Sequence, residues 1–265
     1  MSSEASKKVT PVVLTYDEEP NIARTLDSLR WAARVVVLDS GSTDKTPEIA
    51  RGYANVDWLT RPFDSFRCQW EYAIHETGIT TEFILGLDAD MAVTPELLAE
   101  LETEFLPEQY AAGLMPFEYR YYGRSLAGSL CSPQIRIFRT TDVKVTQPNH
   151  GHKFTVAGKV YRFRHSLIHD DQKSVERWVQ SQLSYLAQNE RAVLNGGAAT
   201  IRGRLRKLGV MPPVMGVLAY LRAGGPFGGA AALRYAYERA VAESLLAIRL
   251  MDARLKARDS STDDR

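Results

Sequence analysis

The sequence predicts an α/β fold, in which a mostly parallel sheet is flanked by helices and is followed by a helical C-terminal extension. Three observations support this prediction. Strand-like and helix-like patterns alternate over the first ninety residues, which is the order that produces parallel strands joined by right-handed crossovers. Short polar clusters follow three of the strands. The last third changes character, with a basic run, an apolar stretch broken by proline and glycine, and a long helical pattern.

The predicted strands are short apolar runs rich in β-branched residues, as expected for strands that are covered on both faces. They occupy residues 11–15, 34–38, 56–59 and 82–87. Helical apolar spacing fills the intervals, and Asn21 is placed to cap the first helix, which carries Ile22, Leu26 and Leu29 on one face. Further helices are predicted over 43–53 and 66–76.

The catalytic domain is predicted to extend to residue 195. Residues 114–168 are β-rich and irregular, and a helix begins near Ser174. Residues 196–258 are predicted to form a basic and apolar helical extension, in which a long helix runs from about 230 to 256. The polar tail 259–265 is predicted to be disordered.

Composition excludes several classes of function. The 265 residues include 33 Lys and Arg and 32 Asp and Glu, so no global field attracts the protein to nucleic acid. Cys68 and Cys131 lie far apart and match no metal-binding spacing, which favours a reducing compartment. No apolar run approaches the ~20 residues needed to cross a bilayer. Because segment 1–8 is polar, we expect no secretory signal and a cytoplasmic location.

Asp88-Ala89-Asp90 is the motif that points most directly to chemistry. This DXD motif follows a buried strand, and its two carboxylates offer the oxygen ligands that Mg²⁺ and Mn²⁺ prefer. The pattern alone is weak, because two aspartates in a turn are more often a solvated turn. However, the polar clusters 15–18 and 39–42 also follow strands, and parallel sheets bind ligands beyond the carboxyl ends of their strands. The sequence therefore predicts one site built from all three clusters.

The motifs resemble those of the family 2 glycosyltransferases. The resemblance lies in VVLTYDEEPNI (12–22), VVVLDSGSTDKT (35–46) and LDAD (87–90). Further stretches are similar to a bacterial subset of that family that acts on lipopolysaccharide core, exopolysaccharide or lipid-linked glycans. These stretches are QIRIFR (134–139) and HDDQK (169–173), the latter followed by Arg177-Trp178. The resemblance implies a GT-A-like, nucleotide-diphospho-sugar transferase fold and an inverting hexosyltransferase that uses manganese or magnesium.

The resemblance also implies roles for individual residues. Thr15, Tyr16 and Glu18 would line the nucleotide pocket, and Asp39 would bond to the base. Asp88 would contact ribose and the metal-bound phosphate, and Asp90 would bind the metal directly. The implied ligand set for the nucleotide and the metal is Thr15, Tyr16, Glu18, Asp39, Arg67, Asp88 and Asp90, with the alternative that Arg67 is an ordinary surface arginine. Position 17 is Asp where the family usually has Asn, which adds a charge.

An inverting transferase needs a base near the acceptor hydroxyl. His169-Asp170-Asp171 is the densest candidate cluster after position 90: the histidine could complete the metal shell, and Asp171 or Asp170 could take the proton. The alternative is that an aspartate here caps the next helix. Three further residues, namely Glu118, His150 and His152, are weaker candidates for the base or for contacts to the acceptor.

The C-terminal extension has two possible interpretations. Its basic run precedes the apolar stretch and a helix with Leu233, Tyr237, Val241 and Ile248 on one stripe. Such a helix could dock onto protein, in the same chain or in a homo-oligomer. It could also lie in the headgroup layer at the inner face of the cell membrane, where basic residues favour anionic lipid.

We therefore expect an enzyme that transfers a sugar from a UDP-linked donor to a saccharide or a lipid-linked saccharide. One alternative is a sugar-phosphate nucleotidyltransferase, which would need a basic, glycine-rich loop after the first strand. That loop is acidic here, Asp17-Glu18-Glu19. The other alternative is a non-catalytic protein that binds nucleotide sugars or glycans, and the complete Asp88/Asp90 pair argues against it.

Overall fold

The computed structural model describes residues 4–106, 110–147, 151–194 and 201–262. The chain divides into two compact units. The sheet unit consists of Met1–Gly123 and Cys131–Lys173, and the helical unit consists of Arg124–Leu130 and Ser174–Arg265. The boundary predicted at residue 195 stays a prediction.

Within the described residues the elements are numbered in chain order. The strands are β1 (Val9–Thr15), β2 (Val35–Asp39), β3 (Val56–Thr60), β4 (Phe83–Asp88), β5 (Met91–Ala92), β6 (Ala112–Met115), β7 (Phe117–Tyr121), β8 (Arg124–Ser125), β9 (Gln134–Arg139), β10 (Val143–Thr146), β11 (Lys153–Val156), β12 (Val160–Arg162) and β13 (Leu167–His169). The α-helices are α1 (Glu4–Lys8), α2 (Ile22–Asp27), α3 (Thr46–Arg51), α4 (Phe66–His75), α5 (Pro95–Glu100), α6 (Val175–Leu194), α7 (Ile201–Lys207), α8 (Met211–Arg222) and α9 (Gly229–Thr262).

A seven-stranded sheet in the order β12-β6-β9-β4-β1-β2-β3 forms the centre of the sheet unit. The four strands of the N-terminal region, β3, β2, β1 and β4, are mutually parallel. Strand β9 is antiparallel to both β4 and β6, so the sheet is mixed, while the parallel majority confirms the predicted fold class. In a smaller sheet of the same unit, β13 pairs with β5, which follows β4, and with β7.

The central strands are buried on both faces, which explains their continuous apolar sequences. All five residues of β2 are buried, and β1 and β4 each have one partly buried position. One face of the sheet packs against α2 through Ile22 and Leu26, and the other packs against α4 through Trp70. Packing is tight at Gly86, where an added Cβ would lie 2.9 Å from Trp70 Cη2.

The helical unit is built on the long helix α9, which includes the whole of the predicted helix 230–256 and extends beyond both of its ends. Helix α8 packs along it, with Gly216 close enough that an added Cβ would lie 3.3 Å from the Ala240 Cβ. Val193 of α6 packs against Leu246 and Leu250 of α9. Among the described helices, none is both long enough and apolar enough to cross a membrane.

Candidate active site

Three polar clusters meet at one edge of the large sheet because the strands that precede them are parallel neighbours. Thr15 at the end of β1 pairs in register with Asp39 at the end of β2. Leu14 pairs with Asp88 at the end of β4. The structure thus brings together the three segments that the sequence predicted to share a site.

The polar cluster at the end of β1 combines the exposed ring of Tyr16 with the buried hydroxyl of Thr15. Tyr16 is exposed, whereas Thr15 is buried and its Oγ1 makes no hydrogen bond in the described structure. Asp17 adopts the left-handed region at φ 50°, and its Oδ1 accepts a bond from the Thr43 N–H at 2.7 Å. The Asp17 N–H donates to Ser42 Oγ at 2.7 Å. The β1 and β2 loops are therefore tied to each other.

Asp39 holds the turn that follows β2. Its buried carboxylate accepts bonds from the N–H groups of Gly41 and Ser42, both at 2.9 Å, and from the Ser42 hydroxyl. This arrangement pre-forms the loop at the sheet edge. The predicted bond from Asp39 to a nucleotide base stays a prediction.

Asp88 lies beside a buried arginine that was not among the predicted site residues. Arg136 Nη2 lies 3.2 Å from Asp88 Oδ2, while Arg136 Nε and Nη1 are buried without a hydrogen-bond partner. Burial opposes ionisation of Asp88, but the Arg136 guanidinium, joined in acid by the protonated rings of His152 and His169, holds the pKa of its carboxyl below the ordinary value. Asp88 is thus an anion whose arginine partner still has two unused donors.

His152 lies in an aromatic pocket next to this pair. Its ring centroid is 5.2 Å from that of Trp70 and 4.9 Å from that of Phe154. Burial lowers the pKa of His152 to about 4, so the imidazole is neutral at pH 7, and its Nε2 has no hydrogen-bond partner. His150 lies outside the described residues.

Asp90 and His169 come together because β13 pairs with β5. His169 is in register with Met91, and the Asp170 N–H donates to the Asp90 carbonyl at 3.1 Å. His169 Nε2 lies 3.5 Å from Asp90 Oδ2, and the imidazole stacks on Tyr119 at 4.4 Å. Asp90 Oδ1 is buried and makes no hydrogen bond.

These atoms fit one side of a divalent-cation shell. In the described part of the chain, no three His, Cys, Asp or Glu side chains are grouped closely enough to hold a metal by themselves. Mg²⁺ commonly takes only one or two carboxylates from the protein and completes its shell with phosphate and water. The buried, unbonded Asp90 Oδ1 beside the His169 imidazole fits that partial role.

Asp170 and Asp171 differ in their surroundings. Asp170 is buried, and its Oδ2 accepts bonds from the Gly123 N–H at 2.9 Å and from Gln172 Nε2 at 3.0 Å. Asp171 is partly exposed, and its Oδ1 accepts a bond from Asn21 Nδ2 at 2.9 Å. Of the two predicted bases, Asp171 is therefore the one that a second substrate can reach.

Asn21 does not act as the predicted helix cap, because its side chain makes no capping hydrogen bond. Its Nδ2 instead donates to Glu18 Oε2 at 2.8 Å as well as to Asp171, and its Oδ1 accepts from the Gln172 N–H at 3.0 Å. The residue is fully buried. Tertiary contacts have replaced the local capping bond, since Asp171 and Gln172 lie at the other end of the sheet unit's sequence.

Glu18 forms a buried ion pair with Lys173, whose Nζ lies 2.6 Å from Glu18 Oε1. Burial raises the pKa of Glu18 to about 7, although Lys173 opposes the shift. Burial would lower the pKa of Lys173, but the carboxylates of Glu18, Asp90 and Asp171 together raise it. The lysine is charged at neutral pH, and Glu18 is the member of the pair that titrates.

Two predicted residues are engaged elsewhere. Arg67 is exposed at the start of α4 and pairs with Glu71 at 2.7 Å, so its guanidinium does not join the clusters described above. Glu118 pairs with Arg120 at 2.7 Å. Their roles in binding and catalysis stay predictions.

Comparison with known proteins identifies the family. The model of Glycosyl transferase family 2 matches residues 11–164. An uncharacterized glycosyltransferase of Rickettsia bellii (strain RML369-C) is 34% identical over 106 residues, which is 40% of this chain and 35% of the relative. The lipopolysaccharide core biosynthesis glycosyltransferase LpsC of Rhizobium meliloti (strain 1021) is 29% identical over 104 residues, which is 38% of this chain and 36% of the relative. The match thus spans about a third of the length of these curated relatives.

Solved structures share the fold. S. aureus TarS 1–349 in complex with UDP superposes with a TM-score of 0.51 at 16% identity, covering 91% of this chain and 90% of that chain. The same TarS segment in complex with UDP-GlcNAc gives a TM-score of 0.51 at 15% identity. This likeness confirms the predicted GT-A-like architecture. The family match covers more than half of the sequence, and the chain belongs to glycosyl transferase family 2.

Proposed function

We propose that the protein is an inverting glycosyltransferase that moves a hexose from a UDP-linked donor to a saccharide acceptor in cell-surface glycan synthesis. The observation that carries the proposal is the cluster of Asp88, Asp90, His169 and Arg136 beside the carboxyl end of β4, in which buried donors and acceptors lack partners. Family membership supports transferase chemistry. The UDP complex of the fold neighbour TarS supports the choice of donor.

The nucleotide would bind across the ends of β1 and β2. Tyr16 offers an exposed ring on which a base can stack, and Thr15 Oγ1 is an unused hydrogen-bonding group. Asp39 holds the loop, and the three donors bonded to its carboxylate leave about one of its four lone-pair sites for the base. Glu18 would act here indirectly, because its Oε1 accepts a bond from Lys173 and its Oε2 accepts a bond from Asn21. Arg67 stays a predicted contact at the edge of this pocket.

The diphosphate would lie beside Asp88, Asp90 and His169, which would hold a manganese or magnesium ion. Such an ion, when bound, stabilises the negative charge of the departing nucleoside diphosphate. Arg136 would contribute its two unused donor atoms, Nε and Nη1, to the same anion, since guanidinium groups bond strongly to phosphate oxygens. Arg136 also balances the charge of Asp88, which keeps that carboxylate ionised next to an anionic ligand.

Asp171 would act as the general base. The acceptor oxygen attacks the anomeric carbon, its proton passes to the Asp171 carboxylate, and the bond from carbon to the phosphate oxygen breaks with its electrons leaving on UDP. Direct displacement of this kind inverts the anomeric configuration. Asn21 and Lys173 fix the carboxylate, with Lys173 Nζ 3.5 Å from Asp171 Oδ2. Asp170 would support the loop from the buried side.

The acceptor would be a saccharide of lipopolysaccharide or exopolysaccharide type, free or carried on a lipid at the inner face of the cell membrane. The function of the relative LpsC in lipopolysaccharide core biosynthesis supports this choice. A peripheral position at the membrane would bring the cytoplasmic donor and a lipid-linked acceptor to the same site.

The test is an assay of UDP-sugar hydrolysis in the presence of Mn²⁺ or Mg²⁺, in which the release of UDP is measured. We expect metal-dependent turnover in the wild type and its loss in Asp90→Ala, with unfolding temperature retained because no core volume is removed. Asp142→Asn, which changes an exposed carboxylate, is the matched control and should behave as wild type. Full activity of Asp90→Ala at saturating metal would refute the metal site. UDP binding without any turnover would instead favour a non-catalytic binding protein.

A further inference from the structure

One segment of the helical unit carries a charge asymmetry that the net charge hides. Over residues 191–237 the chain has no Asp or Glu, although the whole sequence has almost equal numbers of acidic and basic residues. The same segment contains seven basic residues, namely Arg191, Arg202, Arg204, Arg206, Lys207, Arg222 and Arg234. Arg206 and Arg234 are paired with Glu243 and Glu238 of α9, so the attraction to anionic surfaces rests on the remaining basic residues.

Helix α8 lies inside this segment and exposes an apolar face. Its inner face, formed by Met211, Met215 and Ala219, is buried, and the helix packs along α9. Its outer face carries Val214, Val217, Leu218 and Leu221, all exposed. A soluble helix normally places polar residues on its outer face, yet no charged residue occurs between positions 211 and 221.

Further exposed apolar residues lie just before and just after α8 in the sequence. Phe227 lies in the turn of Gly225–Gly228 that follows α8, and 98% of its surface is exposed. Leu208 and Val210, just before α8, are exposed as well. We call Leu208, Val210, Val214, Val217, Leu218, Leu221 and Phe227 the α8 surface. It is bordered by exposed Arg204 and Arg222 and by the partly exposed Lys207.

We infer that the α8 surface inserts into the headgroup layer of an anionic lipid membrane. The apolar side chains would enter the boundary between headgroups and acyl chains, and the basic residues beside them would contact lipid phosphates. The acid-free segment favours lipid over a second copy of the chain, because a symmetric dimer through this face would bring like charges together. The inference rests on the proposed function only in one respect, namely that a lipid-linked acceptor would make this location useful.

Co-sedimentation of the purified full chain with vesicles tests the inference. We expect binding to vesicles of mixed phosphatidylcholine and phosphatidylglycerol, weaker binding to phosphatidylcholine alone, and a decrease as salt is raised. The double substitution Arg204→Gln with Lys207→Gln should lower the partition coefficient by about fivefold for each charge removed. Val217→Glu with Leu221→Glu should lower it by about tenfold or more, because two inserted side chains are lost.

Leu183→Glu is the matched control, since Leu183 lies on α6, is 51% exposed and is outside the acid-free segment. It should bind vesicles as wild type does. Calorimetry with free UDP separates this inference from the proposed function: the α8 variants should retain UDP binding while they lose vesicle binding. A protein that binds vesicles without binding UDP would refute the function alone.

Three results would overturn the inference. One is a folded, UDP-binding wild type that does not bind anionic vesicles. Another is equal vesicle binding by the Val217→Glu/Leu221→Glu variant and by the wild type. The third is a dimer in analytical ultracentrifugation that this variant converts to a monomer without any effect on vesicles, which would assign the surface to a second copy of the chain.

Discussion

Replacing Lys173 by methionine removes one positive charge while keeping a side chain of similar length. The Lys173 Nζ lies 2.6 Å from Glu18 Oε1 and 3.5 Å from Asp171 Oδ2, and the side chain is largely buried. Without it, the Glu18 carboxylate keeps the bond from Asn21 but has no cation at contact distance in the described structure. Removing one partner of a buried pair normally costs about 3–5 kcal/mol, unless the other partner binds a proton.

The pKa of Glu18 determines the size of the effect. Burial raises this pKa to about 7 in the folded protein, from an ordinary value of 4.5. A group whose pKa is higher in the folded state gives a stability that is fully present below the unfolded pKa and is lost as pH rises through the folded pKa. The wild type therefore loses this contribution between pH 4.5 and about 7.

In Lys173→Met the attraction that lowers the pKa of Glu18 is absent, so this pKa rises further. The loss of folding stability with increasing pH therefore continues above pH 7. The free energy of unfolding then falls by about 1.4 kcal/mol for each further pH unit relative to the wild type. The difference in stability between the two proteins should accordingly be about 2 kcal/mol larger at about pH 8.5 than at about pH 6.

Urea unfolding followed by tryptophan fluorescence at the two pH values measures this difference. Lys45→Met is the control, because its ammonium lies 3.9 Å from Glu19 on the exposed surface and should contribute under about 0.5 kcal/mol at either pH. Adding Glu18→Gln to Lys173→Met should recover most of the loss at the higher pH. Parallel pH profiles for wild type and Lys173→Met would refute the reasoning.

Three further predictions concern the site and the sheet. Asp171→Asn should lower turnover by about 10²–10⁴-fold while the Kd for UDP stays nearly constant. Asp170→Asn should chiefly lower the unfolding temperature, because that carboxylate is buried. Kinetics and calorimetry that show the reverse would exchange the two roles. Arg136→Met should weaken UDP binding by about 10-fold or more in calorimetry, since bonds to charged groups contribute about 1.5–3 kcal/mol, and unchanged affinity would remove Arg136 from the phosphate site. Gly86→Ala should destabilise the protein by about 1–3 kcal/mol in urea unfolding, because the new methyl would lie 2.9 Å from Trp70; no loss would show that the tryptophan ring can move.

The strands and the sheet edge were predictable because short-range signals determine them. Continuous apolar runs such as β2 mark strands covered on both faces. Polar residues directly after such runs must then lie at one edge if the strands are parallel, and Thr15, Asp39 and Asp88 do so. The dense polar cluster makes His169 a candidate metal ligand in the sequence, but only the pairing of β13 with β5 places it beside Asp90.

The site residues that the sequence does not predict are placed by contacts between segments that are distant in the chain. Arg136 lies in an ordinary strand pattern, and only the pairing of β9 with β4 places it near Asp88. Lys173 likewise has no local signal for its contact with Glu18. Asn21 was predicted as a helix cap from its position, yet its two functional groups are used by Glu18, Asp171 and Gln172. Local propensity could not show that these partners would be available.

The Asn21–Asp171 bond has a consequence for the order of assembly during synthesis. The two residues are 150 positions apart, so the bond closes almost the whole sequence of the sheet unit. Strands β1 to β4 lie within the first 88 residues and can pair as soon as they leave the ribosome. The pocket they form is complete only after residue 173 has emerged, because Asp171 and Lys173 arrive last. Until then Glu18 and Asn21 can bond to each other but lack Lys173 and Asp171, and the arrival of the segment that follows β13 joins the two ends of the unit.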